Sequence, residues 1–301
     1  MVGSGMIEVV ISDNASSDKT DVMVQTYTEK MPSLRYLKNE SNIGFAGNLN
    51  QVVNLGSANY CWLMGSDDKI LPLSIQYVIE SMSDNPDIIL GNPITKGHER
   101  LFLRRRGVSR FRIESAEEFY SFTSECTEYS AAFAFISTIV IKKSYWCAAK
   151  CNEIELSHPY THMLRVARAI SQNNTLILYI DRPLIETGHN INEYNSSVLP
   201  HAELDLLTMK YISDVIFCRS EKIFSTYAYM FKSQYKYLDI LKSRVESTEQ
   251  RWSELQPILR SVGYGEIFIS KKFYDPYLYF IYIFIKKIKS KLNLIRDYSG
   301  H

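Results

Sequence analysis

The chain has 301 residues, of which 46% are hydrophobic and 22% are charged, with a formal net charge of +1. This length can bury a large core in one elaborated domain or two small ones. The near-zero charge provides no field that would attract nucleic acid, so no nucleic-acid partner is expected. The five cysteines are odd in number and lack metal-site spacing, which indicates reduced thiols and a cytoplasmic protein.

The first third of the chain alternates between short apolar strands and helices. Residues 7–11 read IEVVI, a run typical of a parallel strand covered on both faces, and a polar turn and a helix follow. The pattern repeats as far as a strand at residues 88–90, with YCWLM at 60–64 as another buried strand. This order predicts an α/β fold with a mostly parallel sheet and helices on both faces.

The remainder of the chain is less regular. FAFISTIVI at 133–141 predicts a strand, 160–170 a helix and 175–180 a last strand. From about residue 200 the pattern is helical throughout. We therefore expect an α/β domain at residues 1–197 and a C-terminal helical region at 198–301.

The tail, residues 271–301, has an unusual composition. Aromatic residues precede most of seven Lys and Arg, and two Asp leave a charge excess of +5. This combination predicts a helix that lies on an anionic membrane surface without crossing it. Packing of the tail against the helical core is the alternative.

Carboxylates follow two of the predicted strands, at the edge where open α/β sheets bind ligands. Asp13 follows the first strand, and Asp67 and Asp68 follow YCWLM. Adjacent carboxylates repel unless they are solvated, hydrogen-bonded or neutralised by a cation. Mg²⁺ commonly takes one or two protein carboxylates plus phosphate oxygens, so the pair predicts a metal–diphosphate site. A solvated helix-capping turn before Pro72 is the alternative.

Three motifs, VVISDNASSDKT, NIGFAGNLN and YCWLMGSDD, occur in this order and spacing. Together they resemble the pattern of glycosyltransferase family 2 on the GT-A fold, and most of all the abequosyltransferase-type enzymes of bacterial O-antigen assembly. The resemblance is strong over residues 7–90 and weak to about residue 195. Ser66 stands where many relatives carry the first acid of Asp-x-Asp, so Ser-Asp-Asp is a variant of that pattern.

The resemblance implies a nucleotide-sugar donor and a divalent metal. Asp13 would hydrogen-bond the base of the donor, Asp67 would contact the ribose, and Asp68 would bind Mg²⁺ or Mn²⁺ on the diphosphate. A histidine after the last strand would add a metal or phosphate contact. The predicted nucleotide-sugar residues are Asp13, Asn14, Asn42, Gly44 and Asp67, and the predicted metal ligands are Asp68 and His189.

The catalytic base departs from the family pattern. Relatives place an acidic pair at the start of the helix after the acceptor-binding strand, where this chain has His158 and Pro159. Histidine can act as a general base because its unperturbed pKa lies near neutrality. His162, one turn further on, and Glu153 or Glu155 upstream are the other candidates. A helix start with a surface histidine is the non-catalytic interpretation.

These features predict an inverting, metal-dependent glycosyltransferase that acts at the cytoplasmic face of the plasma membrane, as a peripheral protein, on a lipid-linked oligosaccharide. A non-catalytic remnant that binds nucleotide or glycan is the alternative, because His158 stands where an acid is expected. Members of the resembled family also have a strand and a helix ahead of the strand that corresponds to IEVVI. We therefore expect the chain as written to be poorly soluble and inactive until an upstream segment is restored.

Overall fold

The computed structural model describes residues 7–188, residues 198–269 and residue 284. The strands are β1 Val9–Asp13, β2 Leu34–Lys38, β3 Tyr60–Trp62, β4 Lys69–Ile70, β5 Ile88–Thr95, β6 His98–Glu99, β7 Ser109–Ile113, β8 Ile139–Lys142 and β9 Thr175–Glu186. The helices are α1 Thr20–Thr28, α2 Gly44–Leu55, α3 Ser74–Ser81, α4 Ala116–Glu125, α5 Lys143–Ala148, α6 Glu153–Ser157, α7 Thr161–Gln172, α8 Val198–Tyr211, α9 Glu221–Gln234, α10 Tyr237–Glu246, α11 Glu249–Val262 and α12 Glu266–Ile269.

The strands form two sheets. β1 and β2 pair in parallel, and the other seven strands form a sheet in which β3, β8, β5, β9 and β4 are neighbours in that order. β5 and β9 are parallel, whereas β8 runs antiparallel to both β3 and β5, and β7 and β4 run antiparallel to β9. The predicted α/β class is confirmed, but the sheet is mixed rather than mostly parallel. The alternation of strands and helices fixes direction only where a helical crossover joins neighbouring strands.

β1 and β3 are less buried than their apolar sequences predict. Val9–Ser12 and all three residues of β3 are half-buried. Among the described residues, β1 pairs only with β2, and β3 pairs only with β8. The full cover on both faces that the apolar run of β1 predicts is therefore not reached, and each of these two strands also has one edge without a described neighbour.

Local capping explains where several helices begin. The Ser115 hydroxyl accepts the Glu118 N–H at the start of α4, and the Thr248 hydroxyl accepts the Arg251 N–H at the start of α11. Asn152 and Glu155 form a reciprocal capping box at the start of α6. These short polar side chains satisfy N–H groups that have no partner within their own helix.

One contiguous apolar core extends from the large sheet into the helical region. It includes Phe122 and Trp146 from the α/β part and Met209 and Phe231 from α8 and α9. The helices after residue 197 thus pack directly on the α/β part. The boundary at 197 stays a prediction, since residues 189–197 lie outside the described ranges.

In the part of the chain that is described, no helix has both the length and the apolar composition to cross a membrane. The predicted membrane-surface tail lies outside the described residues apart from Phe284. Its contact with a membrane stays a prediction.

Candidate active site

The turn that follows β1 is shaped by Asp13, whose side chain is buried. Its Oδ1 accepts the Ser16 N–H at 2.7 Å, its Oδ2 accepts the Tyr36 hydroxyl at 2.6 Å, and the Lys38 ammonium lies 4.0 Å away. Burial alone would raise the pKa of Asp13, but the hydrogen bonds from Tyr36 and Ser16 outweigh burial and lower that pKa. An ionised Asp13 therefore holds this turn, in which Ala15 adopts a left-handed φ of 62°.

Asn14 joins this turn to the loop before α2. Its Oδ1 accepts the Ile43 N–H at 2.9 Å, and its Nδ2 donates to Asn42 Oδ1 at 2.7 Å. The same Asn42 oxygen accepts the Gly44 N–H at 2.8 Å. Gly44 has a φ of 76°, a left-handed conformation that glycine adopts without strain. Four of the predicted nucleotide-binding residues thus lie together, with Asp13 adjacent to Asn14 in the chain.

Further amides that the sequence analysis missed hold this cluster in place. Asn48 on α2 donates to the Ser12 carbonyl oxygen at 2.8 Å and accepts the Ser12 hydroxyl at 2.7 Å. Asn39 donates to Asn14 at 3.2 Å and to Asn48 at 3.1 Å. The signal for these contacts was the density of asparagine in NESNIGFAGNLN. These amide hydrogen bonds connect the end of β1 to α2.

The Asp67-Asp68 pair lies in the loop between β3 and β4. Asp68 is half-buried, and its Oδ2 accepts the Ser137 hydroxyl at 2.5 Å while its Oδ1 accepts the Gly188 N–H at 2.9 Å. Desolvation raises the pKa of Asp68 against the effect of these two hydrogen bonds, and the neighbouring Asp67 raises it further. Within the described ranges, no Lys or Arg pairs with either carboxylate.

Ser137 and Gly188 were also missed by the sequence analysis, and both determine the shape of this loop. The Ser137 hydroxyl accepts the Gly65 N–H at 2.8 Å, and its carbonyl oxygen accepts the Trp62 indole N–H at 2.9 Å. A Cβ on Gly188 would overlap the carbonyl oxygen of Asp67, so only glycine allows the end of β9 to approach so closely. His189 lies outside the described residues, and its role as a metal ligand stays a prediction.

The carboxylate oxygens of the Asp67-Asp68 loop are of the kind that bind a divalent cation. A desolvated carboxylate beside a second carboxylate is stabilised by a neighbouring cation. The described residues contain no group of three or more His, Cys, Asp and Glu side chains that could hold a metal ion. Mg²⁺ needs only one or two protein carboxylates when phosphate oxygens and water complete its shell. These residues therefore suit a metal held jointly with a diphosphate.

His162 links the two loop clusters. Its Nε2–H donates to the Ala134 carbonyl oxygen at 3.0 Å, in the segment whose Ser137 binds Asp68. Its ring packs edge-on against Phe45, the residue after Gly44, with centroids 6.0 Å apart. Burial lowers the pKa of His162 to about 4, so the ring is neutral. Its Nδ1 is buried and has no hydrogen-bond partner among the described atoms.

His158 is half-buried in the turn between α6 and α7. Its Nδ1 accepts the Tyr160 N–H at 3.0 Å, and its carbonyl oxygen accepts the Thr161 N–H at 2.9 Å. Burial lowers the pKa of His158, which favours the neutral ring. A neutral imidazole whose Nδ1 accepts a hydrogen bond carries its proton on Nε2. His158 thus presents a donor, and it must change tautomer before Nε2 can accept a proton. Its role as base stays a prediction.

Glu155 is 1% exposed and participates in a buried ion pair. Arg168 donates to it through Nε at 3.0 Å and through Nη2, and the Tyr211 hydroxyl donates at 3.2 Å. The Asn152 N–H completes the capping box at 3.0 Å. These contacts hold α6, α7 and α8 together and disfavour Glu155 as a base. Glu153, on the same helix, is exposed.

A cavity of about 490 Å³ lies at the opposite end of β3 from the Asp67-Asp68 loop. Its lining includes Tyr60, Asn85, Lys142 and Lys143. None of the predicted site residues lines it, so we place it outside the candidate active site.

The sequence is similar to those of known glycosyltransferases. Residues 4–144 match the family described as Glycosyl transferase family 2. Abequosyltransferase RfbV of Salmonella typhimurium (strain LT2) is 27% identical over 189 residues, which cover 60% of this chain and 56% of that protein. The uncharacterized glycosyltransferase MJ1057 of Methanocaldococcus jannaschii is 28% identical over 82 residues, which cover 27% of this chain and 28% of that protein. The chain therefore spans well under two thirds of either curated relative.

Solved structures of S. aureus TarS are similar in fold. The structure of its residues 1–349 has a TM-score of 0.59 at 15% identity and covers 86% of this chain and 72% of that one. The complex of the same region with UDP-GlcNAc has a TM-score of 0.60 at 16% identity, with coverages of 85% and 73%. Identity this low shows the fold alone. The GT-A fold that the three motifs predicted is confirmed.

Proposed function

We propose that this chain is a glycosyltransferase of family 2 that transfers a sugar from a nucleotide-sugar donor to an oligosaccharide acceptor of a bacterial surface polysaccharide, with inversion at the anomeric carbon. The observation that carries the proposal is the position of Asp68. Its carboxylate lacks a cation partner among the described residues and is fixed by Ser137 and Gly188. The loop that carries it is linked through His162 to the cluster predicted to bind the nucleotide.

The donor would lie across the two loop clusters. The turn held by Asp13 and the loop of Asn42 and Gly44 would bind the base, and Asp67, which is exposed, would accept a hydrogen bond from the ribose. Asp68 would hold Mg²⁺ or Mn²⁺, which when bound neutralises charge on the leaving diphosphate. Ser137 and Gly188 keep the Asp68 carboxylate oriented for that role.

The acceptor hydroxyl must lose a proton as it attacks the anomeric carbon. Of the four candidate bases, Glu155 is paired with Arg168, the Nδ1 of His162 is buried, and Glu153 is exposed on α6. His158 is half-buried. The backbone hydrogen bond from Tyr160 occupies Nδ1 of this ring and does not involve Nε2–H. We propose that His158 contacts the substrates as a hydrogen-bond donor in the observed tautomer, and that it acts as base only after a change of tautomer.

The same observation favours a second candidate function, the binding of nucleotide or glycan without turnover. Of the four candidate bases, His158, His162 and Glu155 present no unprotonated, uncovered atom within the described residues, which leaves the exposed Glu153. A binding protein needs the nucleotide loops and the metal site but no base. The two candidates differ only in turnover, and an assay for released nucleoside diphosphate separates them.

The acceptor class and the location are supported by sequence features alone. The likeness of the motifs to abequosyltransferase-type enzymes supports an oligosaccharide acceptor carried on a lipid. The basic, aromatic composition of residues 271–301 supports contact with an anionic membrane surface at the cytoplasmic face.

The test is donor turnover by the soluble protein, expressed with any upstream segment that it requires. A panel of uridine, guanosine, cytidine and thymidine diphosphate sugars is incubated with the protein and Mn²⁺ or Mg²⁺, and nucleoside diphosphate release is measured with and without a mixture of oligosaccharide acceptors. We expect release for one base class that depends on the metal and rises with acceptor. Metal-dependent nucleotide binding without any release supports the second candidate instead, and the absence of both binding and release overturns both.

A further inference from the structure

A buried carboxylate of the helical region reaches the candidate active site. Asp205 on α8 is 1% exposed. Its Oδ1 accepts the Tyr160 hydroxyl at 2.9 Å, and its Oδ2 accepts the Tyr235 hydroxyl at 2.7 Å and the Gln234 amide at 3.3 Å. Burial raises the pKa of Asp205 to about 7 against the effect of these hydrogen bonds. Within the described ranges, every group that donates to this carboxylate is neutral.

Tyr160 connects that carboxylate to both histidines of the site. Its backbone N–H donates to His158 Nδ1 at 3.0 Å, which selects the tautomer of that ring. Its own ring packs edge-on against His162, with centroids 5.9 Å apart, and lies 6.4 Å from the ring of His158. The hydroxyl at the far end of the Tyr160 ring is held by Asp205. Both ends of the residue are therefore fixed.

We propose that Tyr160 and Asp205 form a positioning pair that orients His158 and His162 for glycosyl transfer, so that the helical region contributes to the active site. This inference rests on the proposed function. Above its pKa of about 7, Asp205 is ionised. Hydrogen bonds to an ionised carboxylate are roughly twice as strong as bonds between neutral groups, which suits a bond that must hold an aromatic ring in one orientation. Tyr160 is the one described contact of Asp205 that lies next to His158 or His162.

Tyr235 provides a matched control. The Tyr235 hydroxyl donates to the same carboxylate as the Tyr160 hydroxyl. A change to Phe removes the hydroxyl in either case. The Tyr235 ring, however, packs against Phe231 and not against either histidine. A purely structural role for the Asp205 cluster predicts similar effects from the two changes, whereas a positioning role predicts different ones.

The first measurement compares steady-state kinetics of Tyr160→Phe and Tyr235→Phe. We expect Tyr160→Phe to lower kcat on the order of 10–100-fold, the usual cost of losing a residue that orients a reacting group without touching the substrate. The KM for donor should change by less than about 2-fold, because the lost interaction acts on the reaction step. Tyr235→Phe should keep kcat within about 2-fold at a comparable Tm. Equal losses of kcat in the two variants, or a normal kcat in Tyr160→Phe, would overturn the pair.

The second measurement needs no transfer. ¹⁵N NMR of the histidine rings in the full chain without substrate reports which nitrogen of His158 carries the proton. We expect the Nε2–H form in the wild type and in Tyr235→Phe, and a mixture of tautomers in Tyr160→Phe. If the chain turns over no donor, the proposed function fails while this spectrum still tests the pair. Unchanged His158 signals in Tyr160→Phe would overturn the pair even in an active enzyme.

Asp205→Asn tests the same bond if Tyr160→Phe does not fold. It keeps the volume of the side chain but removes the charge that holds both hydroxyls. We expect the tautomer mixture of His158 to appear in this variant as well, together with the lower kcat. A wild-type His158 spectrum in a folded Asp205→Asn protein would contradict the proposal.

Discussion

Acidic side chains have opposite surroundings in two regions of the molecule. These regions are the loops at the strand ends and the junction between α6, α7 and α8. At the junction, Glu155 is covered and paired with Arg168. At the strand ends, Asp68 is half-buried, accepts two hydrogen bonds and has no cationic partner among the described residues. A protein gains stability by pairing a buried charge, and it leaves a charge unpaired where a ligand completes the site. From this contrast we propose that Glu155 is a structural carboxylate and Asp68 a functional one.

The largest expected effect comes from breaking the junction. Glu155→Ala leaves the half-buried Arg168 without its partner, and we expect the free energy of unfolding to fall by about 3 kcal/mol, the lower end of the range for buried pairs. Glu153→Ala is the matched control on the same short helix, and because Glu153 is exposed its effect should stay within about 0.5 kcal/mol. Urea denaturation of the two variants measures the difference. Equal stabilities would show that Glu155 is free to act elsewhere.

Asp68→Asn should produce the converse result. The variant loses the charge that we propose holds the metal, and we expect turnover to fall on the order of 10²–10³-fold, as when other electrostatic groups are removed from a reaction site. Its Tm should stay close to that of the wild type, since no cation of the described chain depends on this carboxylate. Near-normal turnover in this variant would remove Asp68 from the metal site.

His158 has two candidate roles, general base and hydrogen-bond donor. The base needs an unprotonated Nε2, whereas the donor needs Nε2–H. Loss of a general base lowers kcat on the order of 10²–10⁴-fold in both His158→Ala and His158→Gln. If the Nε2–H is a donor, the amide of Gln replaces it, and His158→Gln should keep kcat within about tenfold of the wild type. Steady-state kinetics of the two variants separate the roles, and equal losses would establish the base.

Gly188→Ala should have the smallest effect. The added Cβ meets the backbone oxygen of Asp67, which cannot rotate away, so the Asp67-Asp68 loop must shift. A shift of about 1 Å can cost up to 10²-fold in rate, and we expect a loss of about 10-fold. Gly56→Ala, where a Cβ makes only ordinary contacts, is the control and should keep its activity. Equal activities of the two variants would show that the approach of β9 does not shape the site.

Much of the strand-end region could be predicted from the sequence because its signals are local. The motifs around Asp13, Asn42 and Asp68 each combine an apolar strand with a polar turn, and the structure places those turns where the strand ends predicted them. The mixed direction of the sheet could not be predicted, because pairing between β8 and its two neighbours depends on contacts far apart in the chain.

The junction could not be predicted for a related reason. Glu155, Arg168 and Tyr211 come from three helices, and no pattern in the sequence indicates that they meet. The contacts of Ser137 and Gly188 with Asp68 likewise join segments far apart in the chain. His158 shows the limit of residue type alone, since its tautomer follows from a single backbone N–H.

The central claim is that Asp68 holds a metal for a nucleoside diphosphate, and ligand-dependent thermal stability tests it most directly. Nucleoside diphosphates are titrated into the wild type and into Asp68→Asn, each with Mn²⁺ or with EDTA, while Tm is recorded. We expect one nucleoside diphosphate at about 100 times its Kd to stabilise the wild type by about 2.7 kcal/mol with Mn²⁺. The effect should be much smaller with EDTA and should not depend on metal in Asp68→Asn. The same metal-dependent shift in wild type and variant, or no shift with any nucleoside diphosphate, would contradict the account.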